Sequence, residues 1–483
     1  MSHHAPCYIA GRWRDDGDRT ERTGPYTGDI VSAATIADAE TVDKALEFAA
    51  DAHKRVAEYS PAARAEVLDR AAGMVDERRD EFARLLALEL GKPMKDGRGE
   101  MVRVADTLRV SAAEARRIGG EVIPTGGWPR GVNTTAFTYR APVGVVAAIT
   151  PFNAPANLLA HKLAPSFAAG NHTIVKPPPQ APAVSTELVR LLLEAGLPGD
   201  GVQVVHGGAD VGAALCSSPH VAAVSFTGSA AAGDAVARAA GPKRVVLELG
   251  GNAATIVCED ADVPAAAGMV AATGFSNSGQ SCISVQRVYV HRSIFREFTD
   301  ATVAAANGLS VGDPLDESTD VGSMVDPAAA ARVETWVAEA SREGATIACG
   351  GSRSGATMAP TVVVDPSPQS RVVVEEIFGA VVVVVPYDDF DAVIEVCNRS
   401  RYGLQAGLFT RDVHRVFDAW RRLDVGGLVV GGTSNYRLDH VPFGGVKDSG
   451  IGRESPRWMI DEYTVLKTLM LRDMSLWGHI PTA

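Results

Sequence analysis

Two short runs hold the side chains best suited to covalent chemistry. Cys282 follows Gly279, Gln280 and Ser281, and Glu248 stands in Leu247-Glu248-Leu249-Gly250-Gly251-Asn252. A thiolate attacks carbonyl carbon, and a carboxylate can take a proton from water. Together they are two halves of one reaction, in which an aldehyde is captured on sulfur, oxidised there and released as an acid. A lone cysteine is most often a small buried hydrophobe. The polar, flexible neighbours Gly279, Gln280, Ser281 and Ser284 set Cys282 apart from Cys7, Cys216, Cys258, Cys349 and Cys397. Glu248 alone would read as a salt-bridged strand terminus. The two glycines near it allow close approach of backbone and ligand, which suits a general base.

Other candidates stand where strands should end. Asn153 lies in Thr150-Pro151-Phe152-Asn153-Ala154-Pro155, where two prolines would fix its amide as a donor to a developing oxyanion. Lys176 closes Thr173–Val175 and precedes three prolines. It fits a ribose contact or a solvated loop charge equally well. Phe226-Thr227-Gly228-Ser229 ends one strand and opens an alanine-rich helix, whose free N–H groups suit a pyrophosphate or simply a capped start. The usual G-x-G-x-x-G dinucleotide fingerprint is absent.

The elements that must position these residues are legible as patterns. The first 120 residues read as mostly helical after a short strand near Cys7–Arg12. Ser60-Pro61 marks a helix start, Leu68, Val75, Phe82, Leu85, Leu86 and Leu90 recur at helical intervals, and Gly91 stops them. A second amphipathic helix is predicted over Gly99–Ile118. From Val143 onward, strands at Val143–Ile149, Thr173–Val175, Val202–Val205, Ala222–Phe226 and Arg244–Leu247 alternate with helices such as Ala183–Ala195 and Ala230–Ala240. That alternation predicts a parallel sheet covered on both faces, a dinucleotide-binding layout. Gly250-Gly251 leads into a second α/β unit running from Asn252 to about Lys447, with strands at Ala254–Val257, Gln286–His291 and Val381–Val385. Gly119–Arg140 and the tail after Asp461 fit neither unit, and a hairpin plus a terminal strand pairing with another subunit would explain both.

Composition narrows the function classes. At 483 residues the chain predicts two or three domains, and 46% hydrophobic with 22% charged residues is an ordinary globular balance. A net charge of −12 argues against a general nucleic-acid binder. Apolar runs such as Val143–Ile149 are too short to span a membrane. The amino terminus has no export-signal pattern, and the scattered cysteines form neither a zinc motif nor a disulfide framework, so a cytoplasmic setting is expected.

These motifs together resemble the aldehyde dehydrogenase superfamily. The resemblance runs through Pro151-Phe152-Asn153, Ile174-Val175-Lys176-Pro177, Phe226-Thr227-Gly228-Ser229, Leu247-Glu248-Leu249-Gly250-Gly251-Asn252 and Gly279-Gln280-Ser281-Cys282. It continues in Glu375-Glu376-Ile377-Phe378-Gly379 and Pro442-Phe443-Gly444-Gly445-Val446-Lys447-Asp448-Ser449-Gly450. It implies two Rossmann-type parallel-sheet domains plus a small β oligomerisation flap. By that division residues 1–118 and 141–250 would bind the dinucleotide, 251–448 would be catalytic, and 119–140 with 461–483 would mediate oligomerisation. It implies that Cys282 is the nucleophile, Glu248 the base for deacylation, and Asn153 with the Cys282 N–H the oxyanion hole. Lys176 would hold the adenosine ribose, and Gly228, Ser229 and Gly233 the pyrophosphate. Glu376 and Phe378 would position the nicotinamide ribose and ring. The implied cofactor is NAD, with NADP left open, since Pro179 stands where NAD-preferring members commonly place a glutamate. Ala380 replaces a usual proline after Gly379 and implies a looser loop. A homodimer or homotetramer is implied.

Tyr436-Arg437-Leu438-Asp439-His440-Val441-Pro442-Phe443 and the Cys-Ile-Ser-Val-Gln-Arg run from Cys282 are similar to the lactaldehyde, phosphonate-aldehyde and non-phosphorylating glyceraldehyde-phosphate branch. Arg103, Arg109, His161 and Arg437 are candidates to grip an anionic aldehyde, each equally fit for a structural salt bridge. Ser281, where phosphate-handling relatives often carry Arg, weighs against a phosphorylated substrate. A CoA-acylating enzyme would not need Glu248, a thiol hydrolase would need no nicotinamide, and a retired scaffold would not need Cys282, Glu248 and Asn153 intact.

Overall fold

A computed structural model describes residues 3–472. Its first large sheet has a parallel core in the order Arg244–Glu248, Ala223–Thr227, Val145–Ile149, His172–Lys176, Val202–Val204. Gly450–Ile451 adds antiparallel to one edge, and the hairpin Cys7–Ile9/Arg12–Arg14 to the other. Apolar side chains cover both faces: Val146, Ala148 and Val175 pack with Leu159 and Phe167, and Ala147, Ile149 and Ile174 with Leu215 and Phe226. Burial on both faces explains why these strands read as continuous β-branched runs rather than alternating ones.

The second sheet carries six parallel strands in the order Thr361–Val364, Val381–Tyr387, Arg287–His291, Ala254–Val257, Gln405–Phe409, Gly427–Val430, with Thr346–Cys349 antiparallel at the edge. Both units thus have the predicted parallel-sheet character.

Three local expectations are corrected. The amino-terminal region holds five short strands before the first helix, not one, because two hairpin-like pairings form around Gly11 and within Arg19–Thr35. The helical run after Ser60 is two helices, Pro61–Glu77 and Arg79–Leu90, broken at Arg78, where φ −102° and ψ 15° leave the helical region. The Ser60 cap and the left-handed Gly91 stop stand as expected. Finally, the expected hairpin and terminal strand pair with each other. Thr464–Arg472 runs antiparallel along Thr134–Pro142, with Val122–Ile123 beyond, making a separate three-stranded flap. The rest of the predicted oligomerisation tail, 473–483, lies outside the described residues.

Candidate active site

Strand order decides where a ligand can sit. After Val145–Ile149 the next two strands add on one side, and the following two add on the other. Connections leaving Ile149 and Thr227 therefore diverge, opening a crevice at the carboxyl ends of these strands. A cleft of about 540 Å³ lies there. Asn153, Lys176, Gly228, Ser229, Glu248, Cys282, Glu376, Phe378 and Arg437 line it together, although they come from both units.

Glycines make the convergence possible. A Cβ on Gly251 would sit 2.1 Å from the Cys282 carbonyl oxygen, and one on Gly250 would sit 2.5 Å from Glu376 Oε2. The Gly251 N–H donates to Glu376 Oε1 at 2.9 Å, so the turn after Glu248 also anchors Glu376. Before Cys282 the backbone is left-handed at Asn277, Ser278 and Gly279 (φ 49°, 55° and 73°). Such strain persists in non-glycine residues only when surrounding contacts enforce it. Here the carboxylate of Asp96 accepts the Asn277 N–H at 2.7 Å, and Ser278 Oγ donates to the Gly322 carbonyl at 3.0 Å. Phe378 is held likewise at φ 50°, its ring edge-on to Phe152 at 5.8 Å.

The Asn153 loop is fixed through its backbone. Lys92 Nζ donates to the Asn153 carbonyl at 2.7 Å and pairs with Glu100, and Asn277 Nδ2 donates to the same carbonyl at 3.1 Å. Glu100 in turn accepts the Ala156 and Asn157 N–H groups at 2.9 and 3.1 Å. The Asn153 side-chain amide makes no hydrogen bond among the described residues, which leaves its NH₂ free for a ligand oxygen.

Electrostatics are set mainly by burial. The Cys282 thiol is pushed up to about 12, first by desolvation and then by Glu248 and Glu376, against the pull of Arg437. Glu248 is buried, neither of its oxygens has a hydrogen-bond partner, and desolvation plus the neighbouring Glu454 hold its carboxyl well above the usual range. Burial would raise Glu454 too, but Lys162 and Arg437 outweigh it and hold Glu454 ionised. Lys162 Nζ lies 3.2 Å from Glu454 and donates to Thr227 Oγ1 at 2.7 Å; Arg437 Nη2 lies 3.0 Å from the other Glu454 oxygen. Sequence reading missed Lys162 and Glu454. Their only signal was a charged residue in each of two otherwise apolar or glycine-rich stretches.

The four candidate anion-binding residues separate. Arg437 alone lines the cleft, with its guanidinium 4.1 Å from the Phe443 ring centroid and a buried Nε that lacks a partner. Arg103 forks onto Asp439 at 2.7 and 3.0 Å, so its charge is already matched behind the wall. His161 donates to the same carboxylate at 2.8 Å; burial lowers its pKa and keeps it neutral. Arg109 pairs with Asp76 at the surface, away from the cleft. The Gly233 N–H bonds the Ser229 carbonyl within the helix, and a Cβ there would lie 2.4 Å from Leu249, so the helix start packs closely on the strand end at this position. Arg332, which sequence reading did not single out, lines the cleft and donates to the Ile377 carbonyl at 2.8 Å.

The cleft fits a dinucleotide at its glycine-lined end. A Cβ on Gly228 would strike the Phe226 ring at 2.5 Å, so this turn admits only glycine beside the helix start that Ser229 caps. Lys176 Nζ bonds only the Pro177 carbonyl, and burial lowers its pKa to about 8, opposed by Asp210.

A model of the aldehyde dehydrogenase family matches residues 13–469. The chain belongs to that family. It is 44% identical over 465 residues to a 3-sulfolactaldehyde dehydrogenase of Priestia aryabhattai, covering 96% of this chain and 97% of the relative. Among solved structures, aldehyde dehydrogenase 21 of Physcomitrella patens, in complex with the product succinate, superposes with a TM-score of 0.95 at 34% identity, covering 99% and 100% of the two chains. The NADP-dependent glyceraldehyde-3-phosphate dehydrogenase of Bacillus halodurans C-125, complexed with NADP, gives 0.95 at 32% identity, covering 98% and 100%. This aldehyde dehydrogenase is therefore an NAD(P)-using enzyme by family. Among the described residues no helix is long and apolar enough to cross a membrane.

Proposed function

We propose that the enzyme oxidises a small anionic aldehyde to its carboxylate through a thiohemiacetal and then a thioester on Cys282. The observation that carries this reading is the meeting of Asn153, Glu248 and Cys282 in one cleft from three separated stretches of sequence. Cys282 loses its thiol proton to water, its Sγ attacks the carbonyl carbon, and the Asn153 amide with the Cys282 N–H donates to the oxygen that gains charge. Glu376 and Phe378 would hold the nicotinamide of a bound dinucleotide, which would supply the hydride acceptor. Glu248 then takes a proton from water as the water attacks the thioester, and carboxylate leaves. Glu248 must be ionised at that moment, against the burial and the neighbouring Glu454 charge that favour its protonated form. An unpartnered base in the cleft favours hydrolysis over transfer to CoA, and a cleft fitted to a dinucleotide favours oxidation over simple thiol hydrolysis.

The roles follow the unit division: residues 1–118 with 141–250 for the dinucleotide, 251–448 for catalysis, and the flap for assembly as a homodimer or homotetramer. Lys176, Gly228 and Ser229 hold the adenosine ribose and pyrophosphate. NAD is our choice of cofactor, while the absence of a carboxylate at Pro179 suits NADP also. The six unpaired cysteines support a cytoplasmic setting.

An anionic substrate is supported by Arg437, which lines the cleft with an Nε that makes no hydrogen bond among the described residues, although Glu454 and Asp439 stand within ion-pair distance of its guanidinium, and by the relative that acts on 3-sulfolactaldehyde. The test is reduced-cofactor formation with sulfonated, carboxylated and neutral aldehydes of equal length, with NAD or NADP, with and without CoA. Turnover without CoA, lost in Cys282→Ser, is expected. Arg437→Gln should raise KM for the charged aldehydes at least about tenfold over the neutral one, the loss of one charge-assisted contact. Equal effects on both would remove Arg437 from substrate recognition.

A further inference from the structure

A second groove, of about 710 Å³, lies in the catalytic unit between the helix Phe390–Asn398 and the segment 366–375, apart from the cleft described above. Arg287 and Asn252 stand in its wall, 5% and 4% exposed. The Arg287 guanidinium donates to the Asn252 carbonyl at 2.7 and 3.2 Å and to the Tyr289 hydroxyl at 3.2 Å, and it forms no ion pair among the described residues. A buried cation without a counter-charge is costly and is normally matched. Asn252 Nδ2 donates to the Val373 carbonyl at 2.7 Å, while its buried Oδ1 has no partner.

The acids along the groove do not supply the missing charge. Glu375 pairs with Arg401 at 3.0 Å, Asp388 with Arg292 at 2.6 Å, and Asp389 caps the helix by accepting the Ala392 N–H at 2.8 Å. The remaining wall is largely apolar, with Val373, Val385, Pro386, Val393 and Val396, beside Gln369, Tyr387, Arg399 and Ser400. An occupant that satisfies this wall needs an anionic oxygen for Arg287, a donor beside it for Asn252 Oδ1, and an aliphatic or aromatic body.

We propose that this groove is a binding site for a small organic carboxylate bearing a hydroxyl next to the carboxylate and an apolar side chain. One N–H on each of Nη1 and Nη2 of Arg287 remains for the carboxylate, the hydroxyl donates to Asn252, and the side chain lies along the helix Phe390–Asn398.

Calorimetric titration of the full-length enzyme tests this with three probes: 2-hydroxy-4-methylpentanoate, 4-methylpentanoate and 2-hydroxy-4-methylpentanamide. The hydroxy acid is expected to bind saturably and the other two at least about tenfold more weakly, since each lacks one polar match. Arg287→Gln should weaken the hydroxy acid by a similar factor. Should Arg287→Gln fail to fold, Ala392→Trp, placed on an exposed groove position, should block binding while turnover of aldehyde stays unchanged. Binding that survives Ala392→Trp, or equal binding of acid and amide, would overturn the proposal. So would no binding of any probe at millimolar concentration.

Discussion

Cys282 rests almost entirely as a thiol. Burial first, then Glu248 and Glu376, push the thiol up to about 12, so thiolate is the minor form at neutral pH and its fraction rises about tenfold per pH unit. Inactivation by iodoacetamide should therefore accelerate about tenfold for each unit from pH 7 to 9, followed by residual activity; a flat profile would mean that the resting thiol is already ionised. The sign follows from the cause, since burial and the acids Glu248 and Glu376 all disfavour the anion. At this scale Cys282, Glu248 and Asn153 were legible in sequence because each sits in a short run of unusual composition. For Arg103, Arg109 and His161 the sequence left anion binding and structural pairing open, because their partners, Asp439 and Asp76, are distant in sequence or shared among several groups. Nothing in a guanidinium's neighbours along the chain tells whether a carboxylate will meet it.

Elements explain how such distant residues meet. Glu248 closes a strand of the first sheet, and the backbone from Gly250 to Asn252 then passes against the Cys282 loop. Gly251→Ala should displace that loop, since the added methyl cannot share space with the Cys282 carbonyl. A loss of activity of about 100-fold is expected, with circular dichroism unchanged and Tm lowered by the cost of overpacking, about 1–3 kcal/mol. Near-normal turnover would show that the loop tolerates the shift. The parallel strands of the first sheet were predicted to within two residues because parallel, doubly covered strands leave continuous apolar runs, whereas Thr361–Val364, Gln405–Phe409 and Gly427–Val430 of the second were not singled out. The break at Arg78 was not, because helical periodicity persists across it. The amino-terminal strands were hidden for another reason: Arg19–Thr23 is mostly exposed and polar, and only its pairing with Ile30–Thr35 makes it a strand.

The molecule as a whole leaves one sheet unfinished. Among the described residues Thr464–Arg472 pairs on one side only, and Leu466 and Met470 project from it 59% and 66% exposed. Open apolar edges are a liability in a free chain and are normally covered. The proposed assembly through this flap would cover it, and on that reading Leu466→Glu with Met470→Glu should shift the particle toward a monomer in light scattering. An unchanged mass would place the interface elsewhere. Sequence had marked this segment as foreign to both units, but which strand it pairs with depended on register across more than three hundred residues of chain.

The most direct test of the covalent mechanism is rapid mixing of Glu248→Gln with saturating aldehyde and oxidised cofactor. Replacing the carboxylate by an amide of the same shape removes the base while keeping the cleft intact. One equivalent of reduced cofactor per active site should form in a burst, followed by a stall with acyl group retained on Cys282. Steady turnover at the wild-type rate, with no burst and no acylated cysteine, would contradict it.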